Sequence, residues 1–260
     1  MGRVIPFSAV ERYLDSLEQA GSQKGTILDT NILISAGYEI RDSHQDVVDV
    51  LELLTERGYS LYATVNTRSE YLEFQRRLIL TENLLDMVDP FSQLKIPKTA
   101  RPRIQTLKGS LKKSMAADAD RDEVFNESQL KKIKKEFSAG PHSGQKGWLE
   151  ICHLFLKNQI SQADQDLTDR EIIYISPNDV DQQELFNGPL NWQSAIAICE
   201  ETGTAFSDSM IFNALMGSNL SFVVTLDFDV GYAALGNSRM KDAVVPDRLF
   251  KEYKRYHFPV

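Results

Sequence analysis

Ile27-Leu28-Asp29-Thr30-Asn31-Ile32-Leu33-Ile34 sets one carboxylate and two small polar side chains inside an otherwise apolar run. A charge in such a run costs several kcal/mol unless it is paired or holds a metal. The apolar residues on either side read as a short buried strand, a turn and the first turn of a helix. Asp29 then stands at the carboxyl end of a strand, where open α/β sheets collect their ligands. A plain helix cap at Asp29 or Thr30 would satisfy the same tripeptide. Other carboxylates have to decide between a cap and a site.

Upstream, Ser8-Ala9-Val10-Glu11 has capping-box spacing, and Leu14, Leu17 and Ala20 follow at helical intervals up to Gly21, predicting a leading helix. Downstream, His44 to Arg57 reads as a second helix stopped by Gly58, and Ser60 to Val65 as a second strand. Tyr71, Phe74, Leu78, Leu84, Leu85 and Val88 predict a helix again, with Thr81 a point where it could break. Glu171 to Ser176 is a third strand and Trp192 to Glu201 a helix. Ser207 to Leu215 starts another helix, and Phe222 to Asp229 is a strand with acids at its exit. Ala243 to Pro246 reads as a final edge strand and Asp247 to Tyr256 as a terminal helix. Strand alternating with helix predicts an α/β fold around a parallel sheet.

Between Leu94 and Phe137 the character changes. This stretch holds 12 Lys or Arg against 6 Asp or Glu, a net of +6 in a chain of net −8, which leaves −14 for the remainder. It lacks a strand pattern, and two helical pieces are predicted, around Ile104 to Ala117 and Glu123 to Phe137. Gly140-Pro141 marks a break, and Trp148 to Ile160 is apolar enough to rejoin a core. Two readings stand: a solvated or mobile insertion, or a basic arm that holds a nucleic-acid backbone through Lys112, Lys113, Lys131, Lys132, Lys134 and Lys135. The insertion is placed at about 91–145, within a single domain over 1–260.

The overall charge argues against a surface that binds nucleic acid indiscriminately, because backbone affinity comes from Lys and Arg releasing counterions. No stretch approaches the roughly 18 apolar residues that span a bilayer, and the amino terminus lacks a signal-peptide core. A soluble, cytoplasmic chain with no membrane partner is expected. Cys152 and Cys199 sit in apolar helical patterns, which favours buried reduced thiols over a disulfide or a metal pair. The four histidines have no paired spacing.

Four carboxylates occupy similar structural places. Asp29 and Asp227 end predicted strands, Asp208 begins a helix, and Glu70 follows the second strand, so a parallel sheet puts all four on one edge. Ionised together they would raise one another's pKa, a conflict that a divalent cation removes. Oxygen ligands without Cys or His suit Mg²⁺ or Mn²⁺ and the hydrolysis of phosphodiesters. Glu73, one turn beyond Glu70, could serve in its place, and Asp229 is either a second acid near the metal or a cap. Thr30, Asn31 and Thr225 would orient carboxylates or water by hydrogen bonds.

Leu28-Asp29-Thr30-Asn31, Glu70 six residues after Thr64, Ser207-Asp208-Ser209-Met210-Ile211 and Val224-Thr225-Leu226-Asp227-Phe228-Asp229 together resemble the PIN-domain family of metal-dependent nucleases. The resemblance runs from about Thr26 to Val88 and from about Ile151 to Phe250, and does not account for Leu94 to Phe137. It implies a three-layer α/β/α fold around a parallel sheet, here carrying a mostly helical basic insertion. It also implies a Mg²⁺ or Mn²⁺ site made by Asp29, Glu70, Asp208 and Asp227, and cleavage of RNA. Many members are the toxin half of bacterial toxin-antitoxin pairs, while others process ribosomal RNA or cut DNA flaps. An inhibitory protein partner and a homo-oligomer are both compatible with it. The expectation is a metal-dependent endoribonuclease; a DNA nuclease on the same fold and a catalytically silent binding module are the alternatives.

Overall fold

Short apolar runs rich in β-branched residues fold as strands when both of their faces can be buried. A computed structural model describes residues 2–89, 92, 96–117, 123–138, 145–188, 190–237 and 239–255. Among the described residues the strands are β1 (Val4–Pro6), β2 (Gly25–Leu28), β3 (Ser60–Ala63), β4 (Ile172–Tyr174), β5 (Phe222–Val224) and β6 (Asp242–Val245). They make one sheet in the order β1-β6-β5-β2-β3-β4, parallel at every pairing. Every residue of β2 and β5 is buried. Successive strand residues point to opposite faces, so both faces are covered, as in a sheet with a helix layer on each side.

The chain forms two compact units, Met1–Tyr71 with Leu167–Val260, and Leu72–Asp166. The first holds the sheet and the helices α1 (Val10–Gln19), α2 (Thr30–Gly37) and α3 (His44–Glu56). The start of α4 (Val65–Met87) also belongs to it. From β2 the chain steps outward to β3 and then β4, and from β5 it steps the other way to β6. The order therefore reverses between β2 and β5, which pair directly through Ile27 with Val223 and Leu28 with Val224. Open parallel sheets leave a crevice at the carboxyl ends of strands where the order reverses.

The second unit carries α5 (Ala100–Ala117), α6 (Glu127–Ser138), α7 (Gln145–Leu156) and most of α8 (Gln159–Asp169). It has its own core, in which Leu84, Ile104, Phe125, Ile133, Phe137 and Trp148 are buried together. The stretch expected as an insertion at about 91–145 is thus part of a packed helical unit that reaches further in both directions. A solvated or mobile spacer does not describe its folded residues.

Three expectations need correction. The helix α4 is unbroken at Thr81: the Thr81 hydroxyl donates to the Arg77 carbonyl at 2.7 Å and accepts from the Phe125 amide at 2.9 Å. Residues Asp242–Val245 form an interior strand and not an edge, because β1 pairs with its outer side. Trp148 and Phe155 are buried in the core of the helical unit, with Ile151, Cys152 and Leu156 packed against it, and not in that of the sheet. The break expected at Gly140-Pro141, together with two of the four histidines, His142 and His257, lies outside the described residues. Cys152 and Cys199 are free thiols, each half-buried. Among the described residues no helix is long and apolar enough to cross a membrane.

Candidate functional site

The helices that complete the sheet unit are α9 (Trp192–Thr202), α10 (Phe206–Gly217), α11 (Phe228–Gly236) and α12 (Asp247–Arg255). Asp29 follows β2 directly and is the N-cap of α2. Its amide donates to the Val224 carbonyl at 3.0 Å, extending the β2–β5 pairing by one residue to the switch point. One carboxylate oxygen, Oδ1, accepts from the Thr30 amide at 2.6 Å. The other, Oδ2, accepts from the Thr225 hydroxyl at 2.7 Å. The cap reading holds, for the carboxylate caps α2, and the same carboxylate is also bonded across to the segment after β5.

Thr225 is wholly buried and has two roles. Its hydroxyl donates to Asp29 and accepts from the Asp227 amide at 2.9 Å, so one oxygen fixes both acid-bearing turns. Asp227 in turn is the N-cap of α11 and accepts from the Asp229 amide at 2.7 Å. Asp229 is exposed in the first turn of that helix. Asp208 is half-buried in the first turn of α10, whose end leads into β5; a helix that returns before a parallel strand starts at the sheet's carboxyl edge.

Glu70 lies in the second turn of α4, whose start is fixed by Thr64: the Thr64 hydroxyl accepts from the Thr67 amide at 3.2 Å. The Thr30 hydroxyl donates to Glu70 Oε2 at 2.6 Å, which ties this carboxylate to the turn after Asp29. Glu73 does not share that placement. It is paired with Arg76 at 2.6 Å, and that guanidinium holds its carboxyl below the usual range. Asn31 is half-buried in α2 and, among the described residues, makes no hydrogen bond to these carboxylates.

Electrostatics show which acids sense one another. Burial pushes the Asp29 carboxyl up to about 7, with the Thr225 bond opposing it and the charges of Asp208 and Asp227 adding to it. Burial also raises Asp208, to about 6, reinforced by Asp227, Glu70 and Asp229. The five acids that the sequence singles out are thus linked by mutual repulsion in one region of the sheet unit. Among the described residues no three carboxylate, imidazole or thiol groups are drawn close enough to form a ready-made metal nest. The donor chemistry fits a hard divalent cation nonetheless, since Mg²⁺ retains waters that bridge to carboxylates at wider spacing. The chain matches no protein-family model, no curated protein and no solved structure.

One positioning residue is not evident in the sequence pattern. Tyr253 of α12 is fully buried, donates from its hydroxyl to the Phe228 carbonyl at 2.8 Å, and stacks on the Phe228 ring with centroids 4.6 Å apart. It braces the turn that carries Asp227 and Asp229. The available signal is Gly231 in the middle of α11, since any side chain there would overlap the Tyr253 hydroxyl. The lysines proposed for a nucleic-acid backbone, Lys112 and Lys113 on α5 and Lys131, Lys132, Lys134 and Lys135 on α6, are all exposed in the helical unit.

Proposed function

We propose that the chain is a metal-dependent nuclease with a PIN-like fold, acting as an endoribonuclease through Asp29, Glu70, Asp208 and Asp227. The observation that carries this reading is the buried Asp29 carboxylate at the β2–β5 switch point, which senses the charges of Asp208 and Asp227 and has no cationic side chain paired with it among the described residues. A buried unpaired carboxylate is costly, and a chain that retains one there has a use for its charge. When bound, Mg²⁺ or Mn²⁺ lowers the pKa of a water and stabilises charge on the leaving oxygen of a phosphodiester.

The chain's own residues supply the rest. Asp29, Asp208, Asp227 and Glu70 would hold the cation, with Asp229 in reserve at the same turn. Thr225 and the Thr30 amide orient the Asp29 carboxylate, and the Thr30 hydroxyl orients Glu70. Such orientation keeps ligands in place without strain at the moment of reaction. A toxin-type role with an inhibitory protein partner belongs to the same proposal.

The test is cleavage of labelled RNA and DNA oligonucleotides of the same sequence. Purified wild type with Mg²⁺ or Mn²⁺ is expected to cut the RNA, and a chelator to stop it. Asp29→Asn, which keeps the shape and removes the charge, is expected to lose activity by orders of magnitude. Equal cutting by the two proteins, after removal of contaminating nuclease, overturns the assignment. Cutting of DNA alone moves the reading to a DNA nuclease.

A further inference from the structure

Native chains pair nearly all of their buried polar groups, because a buried amide left without a hydrogen bond is costly. Among the described residues the buried polar side chains have hydrogen-bond partners, except that of Asn213, which is 5% exposed in the second half of α10. Asn213 instead lines a cavity of about 430 Å³, inside the range of about 300–1,000 Å³ in which small molecules bind. Ser194 and Ile198 line it from α9, Asn213 and Met216 from α10, and Met240 from the segment ahead of β6. The lining residues Gln193, Ser194 and Arg239 are exposed, whereas Ile198, Asn213 and Met240 are buried, so the cavity runs from solvent down to the Asn213 amide. Asp208 precedes Asn213 on the same helix by five residues, about 140° round its axis, so the two side chains stand on different faces and the cavity is separate from the acidic site.

We infer that this cavity is a site for a small uncharged molecule that carries a hydrogen-bond donor and acceptor side by side on a largely apolar body: a carboxamide, a lactam or the edge of a nucleobase. An asparagine side chain sets a carbonyl acceptor and an amino donor in one plane, so the group that satisfies both carries the reverse pair. Ile198, Met216 and Met240 supply apolar walls, and methionine side chains adjust to the shape laid against them. The charged residue of the lining, Arg239, already donates to the Glu201 carboxylate, which the Asn237 amide also holds. A charged ligand would therefore lose hydration in the cavity without meeting a free counter-charge. The walls supply the binding energy and Asn213 the orientation, as the few polar groups of an apolar pocket do. An amide kept unpaired at a buried position then has its reason, since its partner arrives with the ligand. Nothing in this depends on the nuclease reading.

The test uses the full chain and three probes, each beside a control of similar shape that lacks the donor: benzamide with acetophenone, δ-valerolactam with cyclohexanone, and adenosine with purine riboside. The chain has six methionines, and methyl spectra of isotope-labelled protein read the cavity through Met216 and Met240, assigned with Met216→Leu and Met240→Leu. At least one probe is expected to shift both resonances saturably and to bind roughly tenfold tighter than its control. Which probe does so names the source of the edge. Asn213→Leu keeps the size of the side chain and removes the amide, so it is expected to abolish the difference between that probe and its control. Because it also takes an unpaired polar group out of burial, its Tm without ligand is expected to equal or exceed that of wild type. No saturable shift with any probe leaves the amide to water and overturns the site. Equal affinity of every probe and its control for wild type does the same without recourse to a variant, as do a difference that survives in Asn213→Leu and a Tm for that variant well below wild type, which would assign the amide to the fold.

Discussion

Asp29 shows how a single buried carboxylate sets the chemistry of its surroundings. Its folded carboxyl titrates near 7 and its unfolded one near 3.8, so the folded chain holds this proton more tightly. Stability from that difference is fully present below the unfolded value and is lost as the pH rises through the folded one. Asp208, raised to about 6, acts with the same sign. With chelator present, the wild-type Tm is therefore expected to fall between about pH 5 and about pH 8. The Tm of Asp29→Asn is expected to fall less across this range, and at the upper pH to lie above that of wild type. Thermal melts across that range check this, and a variant less stable than wild type at about pH 8 would contradict the burial argument. Millimolar Mg²⁺ is expected to raise the wild-type Tm there and to do much less for Asp29→Asn. Thr225→Val should cost about 1–3 kcal/mol in urea melts, because it leaves the Asp227 amide without its buried acceptor. The place of Asp29 was legible in its own octapeptide, since an acid between apolar runs has few structural uses. The choice of Glu70 over Glu73 was not. It depends on Thr30 reaching across forty positions of sequence and on Arg76 claiming the other acid.

At the scale of elements, the turn after β5 works because α12 packs onto α11. A glycine inside a helix costs about 1 kcal/mol relative to alanine. Gly231 is retained because Tyr253 occupies the space where a Cβ would go. Gly231→Ala is thus expected to destabilise by about 1–3 kcal/mol despite its better helix propensity. In a double variant with Tyr253→Leu the two losses should be markedly less than additive. Additive losses would show that the contact does not constrain the helix. Tyr253→Phe keeps the stacked ring and loses the bond to the Phe228 carbonyl, so a smaller cost of about 1 kcal/mol is expected. Most elements of the sheet unit could be read from hydrophobic period and turn residues. The strand β1 could not, because three residues ending in Pro6 carry too little pattern. Missing it made β6 look like an edge. The continuity of α4 was hidden for a related reason: Thr81 is a poor helix former by itself, but its side chain serves as an acceptor for a residue far along the chain.

The whole molecule divides its charge as it divides its fold. The basic stretch belongs to the helical unit, where Leu130, Ile133 and Phe137 make the buried stripe of α6 and four lysines stand among the polar residues of its other faces. Its helices were legible in the sequence. Its core was not, because three apolar residues at helical spacing among so many charges resemble a solvated helix. A packed unit gives those lysines a fixed scaffold, which a mobile arm would lack. Lys131, Lys132 and Lys135 stand exposed on one helix, so they can contact a phosphate backbone together. If they do, replacing all three with Gln lowers RNA affinity and flattens its dependence on salt. Each lost contact reduces the slope of log K against log salt by about 0.7 on a single strand, or about 2 for the three. Filter binding at several salt concentrations, with Asp29→Asn present in both proteins, reads that slope directly. Cleavage of a short saturating substrate by the triple variant with Asp29 intact is expected to survive, because on the proposed reading the lysines would bind the strand and take no part in the chemistry of the acids. A slope equal to that of the parent would take α6 out of RNA binding and leave its lysines as the solvated outer face of a helical unit.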